Sequence, residues 1–412
     1  MKYSLIVNQN QTLSNQERLN QNIENHFFIK LLKILAKSIG KRNSLLYQLL
    51  IFSKFKNFLR YITLTVIYSD FGDLAEIEKK PKDNYIYNSF INLALVLDIV
   101  YENDKTFSLN KKYFLTRDEQ KLFLKRDLGG NKVLNKVIID YKYLCSFLDE
   151  DLSFLKKEIK DEFIYIKKLI TYMLEIYRID FKRQVSPSFT EDFYTDLGEL
   201  AFNTFTKNNF IHFIKNKKIN NVLDIGCGNG NYIDLFLDFN SNIQLIGVER
   251  QEKVYEKLGQ KYKGKNNITL INKDITKINF ENKFDMINMS YMLFYLTDEE
   301  RNLLFKKLKT ILSSNGIIVI CQYYPKFERY QEIIAKYYRK WSLVSQYKYS
   351  ICNSILYSEV LLNNMLNDFS KAEEWDLFLK LLGNNGLVVT DIVPADDTFY
   401  SYFITVKHRN EV

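Results

Sequence analysis

The sequence predicts an α/β fold: a doubly wound, mostly parallel seven-strand sheet with a terminal antiparallel hairpin, preceded by a mainly α-helical domain. Three observations predict it. From residue 220 onward, short apolar runs alternate with helical or turn segments, the pattern of a parallel sheet with helices on both faces. The last two apolar runs are separated by only PADDTFYS (394–401), too short for a crossover helix, so they must pair antiparallel. From about Glu24 to Ile179 the apolar spacing is mostly helical.

The 412 residues are enough for two or three domains. With 46% hydrophobic residues, among them 31 Phe and 29 Tyr, the chain can build real cores, and a disordered polypeptide is excluded as the default. In chain order, FFIKLLKILAKSI (27–39) reads as a helix and GDLAEIEKK (72–80) as a short one. YIYNSFINLALVLDIV (85–100) is also helical, and YENDKTFSLNKKYF (101–114) is a hairpin turning at Asn103-Asp104. The stretch 152–177 is a further amphipathic helix. FKRQVSPSFT (181–190) has a proline and no period, which puts a domain boundary there and divides the chain into 1–185 and 186–412. Strands follow at 220–226, 243–249, 268–274, 284–290 and 316–322, with the hairpin at 386–393 and 402–408. Between the fifth strand and the hairpin lies a helical insertion, about 325–382, rich in aromatics: Tyr330, Tyr337, Tyr338, Trp341, Tyr347, Tyr349 and Tyr357. Most of these read as the core of an added layer, one or two as lining for an acceptor pocket.

The net charge of +9 sits entirely in residues 1–190, and the remainder is neutral. Four widely spaced cysteines and three histidines (His26, His212, His408) offer no metal-ligand spacing, so a cytoplasmic protein without a metal is expected. The first residues lack a signal-peptide core, and the longest apolar runs are broken by polar residues, so no membrane span is expected.

The residues that carry chemistry are Val222-Leu223-Asp224-Ile225-Gly226-Cys227-Gly228-Asn229-Gly230. A buried strand runs into closely spaced glycines, so the backbone can turn sharply and a ligand can approach where side chains would otherwise fill the space. Asp224 separates this pattern from a dinucleotide fingerprint, because a pyrophosphate disfavours an adjacent carboxylate. The GxGxxG match also fails at Asn231. Glu249 ends the second strand, about 20 residues beyond Gly230, where a carboxylate can accept two ribose hydroxyls. Asp274 ends the third strand and Ile275 follows it.

On this motif, residues 190–412 resemble the class I, Rossmann-like S-adenosylmethionine-dependent methyltransferases. The resemblance implies S-adenosylmethionine as cofactor. Asp224, Gly226, Cys227, Gly228 and Gly230 would hold its methionine part, Glu249 its ribose, and Asp274 with Ile275 its adenine. The backbone of Met289 and Ser290, after the fourth strand, would face the methionine end. The helix and hairpin at 85–114 resemble the winged-helix dimerisation domain of two-domain small-molecule O-methyltransferases, which implies a homodimer and a small-molecule methyl acceptor in a biosynthetic pathway. Those enzymes carry a general-base histidine at the position of Phe294, and here it is absent. Either Tyr291 or Tyr295 takes the proton, or the acceptor is already nucleophilic, such as an amine, a carboxylate or an enolised carbon. Tyr295 reads equally well as a packing residue. The alternative is an RNA or DNA methyltransferase using the basic amino-terminal half. Against it, basic residues are interleaved with acids, as in KKEIKDE (156–162), and NMSY (288–291) lacks both prolines of the [DN]PPY loop.

Overall fold

The computed structural model describes residues 44–71, 76–78, 85–103, 106–127, 129–155, 157–178, 198–322, 354–355, 357–358, 361–362, 365, 375–395 and 401–411. The chain divides into two compact units, one within 1–190 and 337–367, the other within 191–336 and 368–412. The helix expected at 27–39, the boundary at 181–190 and most of the insertion's aromatics lie outside the described residues; Tyr357 is half-buried.

In the first unit, α1 (Ser44–Val66) packs on α4 (Lys132–Phe147) through Phe58 and Tyr61, whose ring centroids lie 5.5 and 4.0 Å from that of Tyr141. Between them the buried Asp140 carboxylate accepts Lys54 Nζ at 2.7 Å and Asn57 Nδ2 at 2.6 Å. Helix α2 (Tyr85–Val96) stops short of the expected Val100, because Asp98 turns left-handed (φ 59°) and Asn110 holds its carboxylate. The chain then enters β2 (Val100–Glu102), which pairs antiparallel with β3 (Thr106–Leu109), while Asn103 N donates to Thr106 O at 2.8 Å. This is the expected hairpin.

The short helix expected within 72–80 is corrected by β1 (Glu76–Glu78), which pairs antiparallel with β3, Ile77 opposite Phe107. The free edge of β3 offers backbone hydrogen bonds, and these override the weak helical preference of so short a segment. Helix α3 (Arg117–Leu124) starts with a reciprocal Thr116–Glu119 capping box. Helix α5 spans Lys157–Arg178. It starts later than the expected residue 152, since Asp151 caps a turn by accepting Ser153 N at 2.9 Å.

The second unit opens with a helical stretch whose final segment is α6 (Lys207–Ile214). The strands are β4 (Asn221–Ile225), β5 (Gln244–Val248), β6 (Ile268–Ile271), β7 (Phe284–Ser290), β8 (Leu312–Gln322), β9 (Leu387–Pro394) and β10 (Tyr402–His408). Their order is β6-β5-β4-β7-β8-β10-β9, parallel throughout except for β10, which runs antiparallel to both neighbours. The predicted fold class is therefore the observed one.

Side chains alternate across the sheet. Val222, Leu245, Met286, Ile317, Val319 and Phe403 join α6 and α7 (Asn231–Phe239) in one core. The opposite face buries Leu223, Ile287, Ile318 and Ile404, with α9 (Asp298–Ile311) and α10 (Trp375–Asn384) meeting at Phe305 and Phe378, 6.0 Å between centroids. Helix α8 (Glu252–Lys261) lies between β5 and β6 in the chain. Among the described residues, no helix is long and apolar enough to cross a membrane.

Asp140 is the polar centre of the α1–α4 contact, and its removal strands a mostly buried ammonium. Asp140→Ala is expected to cost the first unit about 3 kcal/mol, read as a fall in the urea midpoint. An unchanged midpoint would show that the pair is not buried in solution.

Candidate functional site

The parallel strands reverse their winding between β4 and β7, and such a switch point leaves a crevice at the carboxyl ends. The loop after β4 lies there. Gly226, Gly228 and Gly230 all have positive φ (69°, 49°, 79°), a region costly for any residue with a Cβ. Gly226 N and Cys227 N both donate to Val248 O, at 2.8 and 3.1 Å, so the end of β5 anchors the turn. A Cβ on Gly230 would stand 2.2 Å from Tyr262 Oη, whose hydroxyl is shared between Gly230 O (2.9 Å) and Asp234 Oδ1 (2.8 Å). Gly247, inside β5, was not singled out from the sequence. A Cβ there would press on Cys227 Sγ, Ile233 and Leu270 at 3.1 Å each, and a glycine within a strand is the signal that could have found it.

Three acids stand at the ends of β4, β5 and β6. Asp224 is 1% exposed, with Oδ1 accepting Asn288 Nδ2 at 2.8 Å and Oδ2 buried without a partner. Desolvation pushes its carboxyl up from 3.8 to about 7, the Asn288 amide partly opposing and the Glu249 charge adding to the rise. Glu249 accepts Gly228 N at 3.1 Å on one oxygen and Gln251 N at 2.8 Å on the other. Asp274 caps the 3-10 turn Ile275–Lys277, its Oδ1 accepting both Thr276 N (2.9 Å) and Thr276 Oγ1 (2.8 Å). Its partial burial would raise its pKa, but the Thr276 bonds and the Lys277 and Arg250 charges outweigh it, and the carboxyl lies below its ordinary value. Ile275 is buried beside it. Burial pushes the Cys227 thiol far up, which leaves it inert.

The loop after β7 completes the crevice. Met289 is wholly buried and Ser290 is half-buried, so Met289 can offer a ligand only its backbone. Tyr291 adopts φ 52°, with its N donating to Cys321 O at 2.8 Å and its hydroxyl 2.6 Å from Ser401 Oγ. Strained non-glycine backbone of this kind persists where its surroundings over-determine it. Leu293–Tyr295 form a 3-10 turn that includes the backbone of Phe294, and the half-buried Tyr295 ring lies 5.7 Å from the Arg250 guanidinium. The buried Arg301 holds this turn by donating Nε to Leu293 O at 2.9 Å. Asn288, Tyr262 and Ser401 were not anticipated, because each acts through a contact distant in sequence; Arg301 was not anticipated either, its contact reaching back eight residues to a turn.

The arrangement suits a ligand that brings a cation to Asp224, hydrogen-bond donors to Glu249 and Asp274, and no phosphate. A cradle without Cβ atoms and a buried carboxylate oxygen lacking a partner are what such a ligand would complete. Among the described residues, no three His, Cys, Asp or Glu side chains could hold a metal ion.

Residues 222–316 match the family model of a methyltransferase domain. The carboxy-S-adenosyl-L-methionine synthase of Helicobacter pylori strain J99 is 25% identical over 155 residues, covering 37% of this chain and 62% of that protein. The chain thus matches about three-fifths of the length of such relatives. An uncharacterized protein of Haemophilus influenzae is 30% identical over 128 residues, 29% of this chain and 48% of its own. Among solved structures, an O-methyltransferase family 2 protein from Planctomyces limnophilus is 11% identical with a TM-score of 0.44, covering 87% of this chain and 95% of that one. A mitomycin 7-O-methyltransferase is 12% identical with a TM-score of 0.40, covering 77% and 82%.

Because the folded Asp224 carboxyl binds its proton more tightly than the unfolded one, its protonated form stabilises the ligand-free fold below about pH 4. That contribution is lost as pH rises through about 7. The thermal midpoint of the ligand-free protein is expected to fall across this window, and Asp224→Asn is expected to flatten the fall. An equal slope in both proteins would refute the assignment.

Proposed function

We propose that the second unit binds S-adenosylmethionine and that the chain is a methyltransferase acting on a small-molecule acceptor. The observation that carries this reading is Asp224: buried, bonded on one side to Asn288, and unpartnered at Oδ2 beside the glycine loop. An ammonium group fits that oxygen, whereas a phosphate would be repelled. In this reading Gly226, Cys227, Gly228 and Gly230, with the backbone of Met289 and Ser290, surround the methionine part. Glu249 exchanges its loop N–H partners for ribose hydroxyls, Asp274 Oδ2 accepts the adenine amino group, and Ile275 packs on the ring.

When bound, the cofactor supplies a methyl group already activated by a sulfonium leaving group. Alignment of the acceptor is then the larger part of the protein's task. Proton removal falls to Tyr295, at the crevice under Arg250, while the Tyr291 hydroxyl is committed to Ser401 and positions the loop. The acceptor is taken as a small molecule on the alternation of basic and acidic residues at 156–162; residues 25–69 carry eight Lys and Arg and no acid, so tight, salt-dependent binding of RNA or duplex DNA would overturn this part of the reading.

Calorimetry is expected to show binding of S-adenosylhomocysteine at a Kd on the order of micromolar, or roughly −8 kcal/mol. Glu249→Ala should weaken it by about 1.5–3 kcal/mol. No binding, or a preference for NAD, would remove the reading.

With a transferable acceptor in hand, Tyr295→Phe should lower kcat on the order of 10²–10⁴ and leave cofactor affinity unchanged. Tyr291→Phe should cost less. Full turnover in both variants together with loss in His212→Ala would show that the proton role lies elsewhere.

A further inference from the structure

The turn at Ile275–Lys277, after β6, carries few backbone bonds of its own. These are Lys277 N to Asp274 O at 3.0 Å and Ile278 N to Ile275 O at 3.3 Å, and 3-10 bonds have poorer geometry than α-helical ones. Helix α9 supplies what is missing. Lys307 Nζ stands 3.1 Å from Ile275 O, 2.6 Å from Thr276 O and 2.6 Å from Ile278 O. An ammonium has three N–H donors, and here all three meet carbonyls of this turn, Ile275 O sharing its acceptor capacity with Ile278 N.

We propose that Lys307 is a positioning residue that sets adenine selectivity by holding the turn so that Asp274 Oδ2 faces the adenine amino group. This rests on the cofactor reading above. Thr276 occupies Oδ1 through two bonds, so the turn's geometry decides where Oδ2 points. The turn in turn is held by Lys307. The role is distinct from that of Arg301, one helix stretch earlier on α9, which grips the loop after β7 through Leu293 O. One helix thus fixes two ligand-facing loops with two separate cations.

The test compares S-adenosylhomocysteine with S-inosylhomocysteine, whose base carries a carbonyl oxygen in place of the amino group, so the position proposed to face Asp274 loses its donor and the remaining N1–H lies one atom away. The wild-type protein should prefer the adenine compound. Lys307→Met should weaken S-adenosylhomocysteine roughly tenfold, as expected for one misaligned hydrogen bond to a charged group, and leave S-inosylhomocysteine within about twofold. Amide hydrogen exchange at 274–278 should quicken in the ligand-free variant, a readout independent of any cofactor. Asp274→Asn should collapse the same preference, and adding Lys307→Met to it should change nothing further.

Equal weakening of both compounds, or faster exchange with selectivity intact, would reduce Lys307 to a structural staple and overturn the proposal. A wild-type protein that binds neither compound would remove the cofactor reading itself, and the proposal with it. If Lys307→Met does not fold, Lys307→Gln, which keeps an amide donor, carries the same comparison.

Discussion

A carboxylate placed in the middle of a sheet, with one oxygen bonded and one facing nothing, sets the terms for the rest of the second unit. Asp224 lies between β5 and β7 in register with Gly247 and Asn288, where no water reaches it. Burying a charge costs several kcal/mol unless a partner compensates, and Asn288 compensates only one oxygen. The rest of the cost is borne as a shifted proton equilibrium. Local rules broken in this way mark sites where a protein trades stability for function, and the neighbouring left-handed Tyr291 is a second such break.

The surrounding backbone is correspondingly over-determined. Val248 O takes two N–H groups of the glycine loop, Glu249 takes a third, and Tyr262 closes over Gly230. Gly247 lets Cys227 and α7 approach the sheet. On the other face, α9 holds one flanking loop by Arg301 and the other by Lys307. Preorganisation of this kind makes polar groups at a crevice effective, because they are already aimed when the ligand enters.

Much of this was legible in the sequence, and the boundary of legibility is physical. The strands were readable because each is a short apolar run bounded by turn residues, and β5, β6 and β7 begin within a residue of expectation. Asp224, Glu249 and Asp274 were readable as acids at strand ends, and the structure brings all three to one edge. What local patterns could not supply were partners from far along the chain. Tyr262 reaches Gly230, Lys307 reaches Ile275, and β1 exists only because β3 offers it an edge. Asp98 ended α2 early for the same reason, since its left-handed turn depends on Asn110.

Charge then separates the ligands that this crevice can take. Two unit charges 4 Å apart interact by about 4 kcal/mol at the effective dielectric near a protein surface. A pyrophosphate entering beside Asp224 and Glu249 would meet repulsion of that order from each ionised carboxylate. The glycine loop offers little relief, because the Gly226 and Cys227 N–H groups face Val248 O. An ammonium meets the same field as attraction, and it lowers the cost of ionising Asp224 as it binds. Two N–H groups of the kind a dinucleotide site offers to phosphate are here bound to Val248 O, so the backbone supports the proposed cationic, phosphate-free ligand as the side chains do.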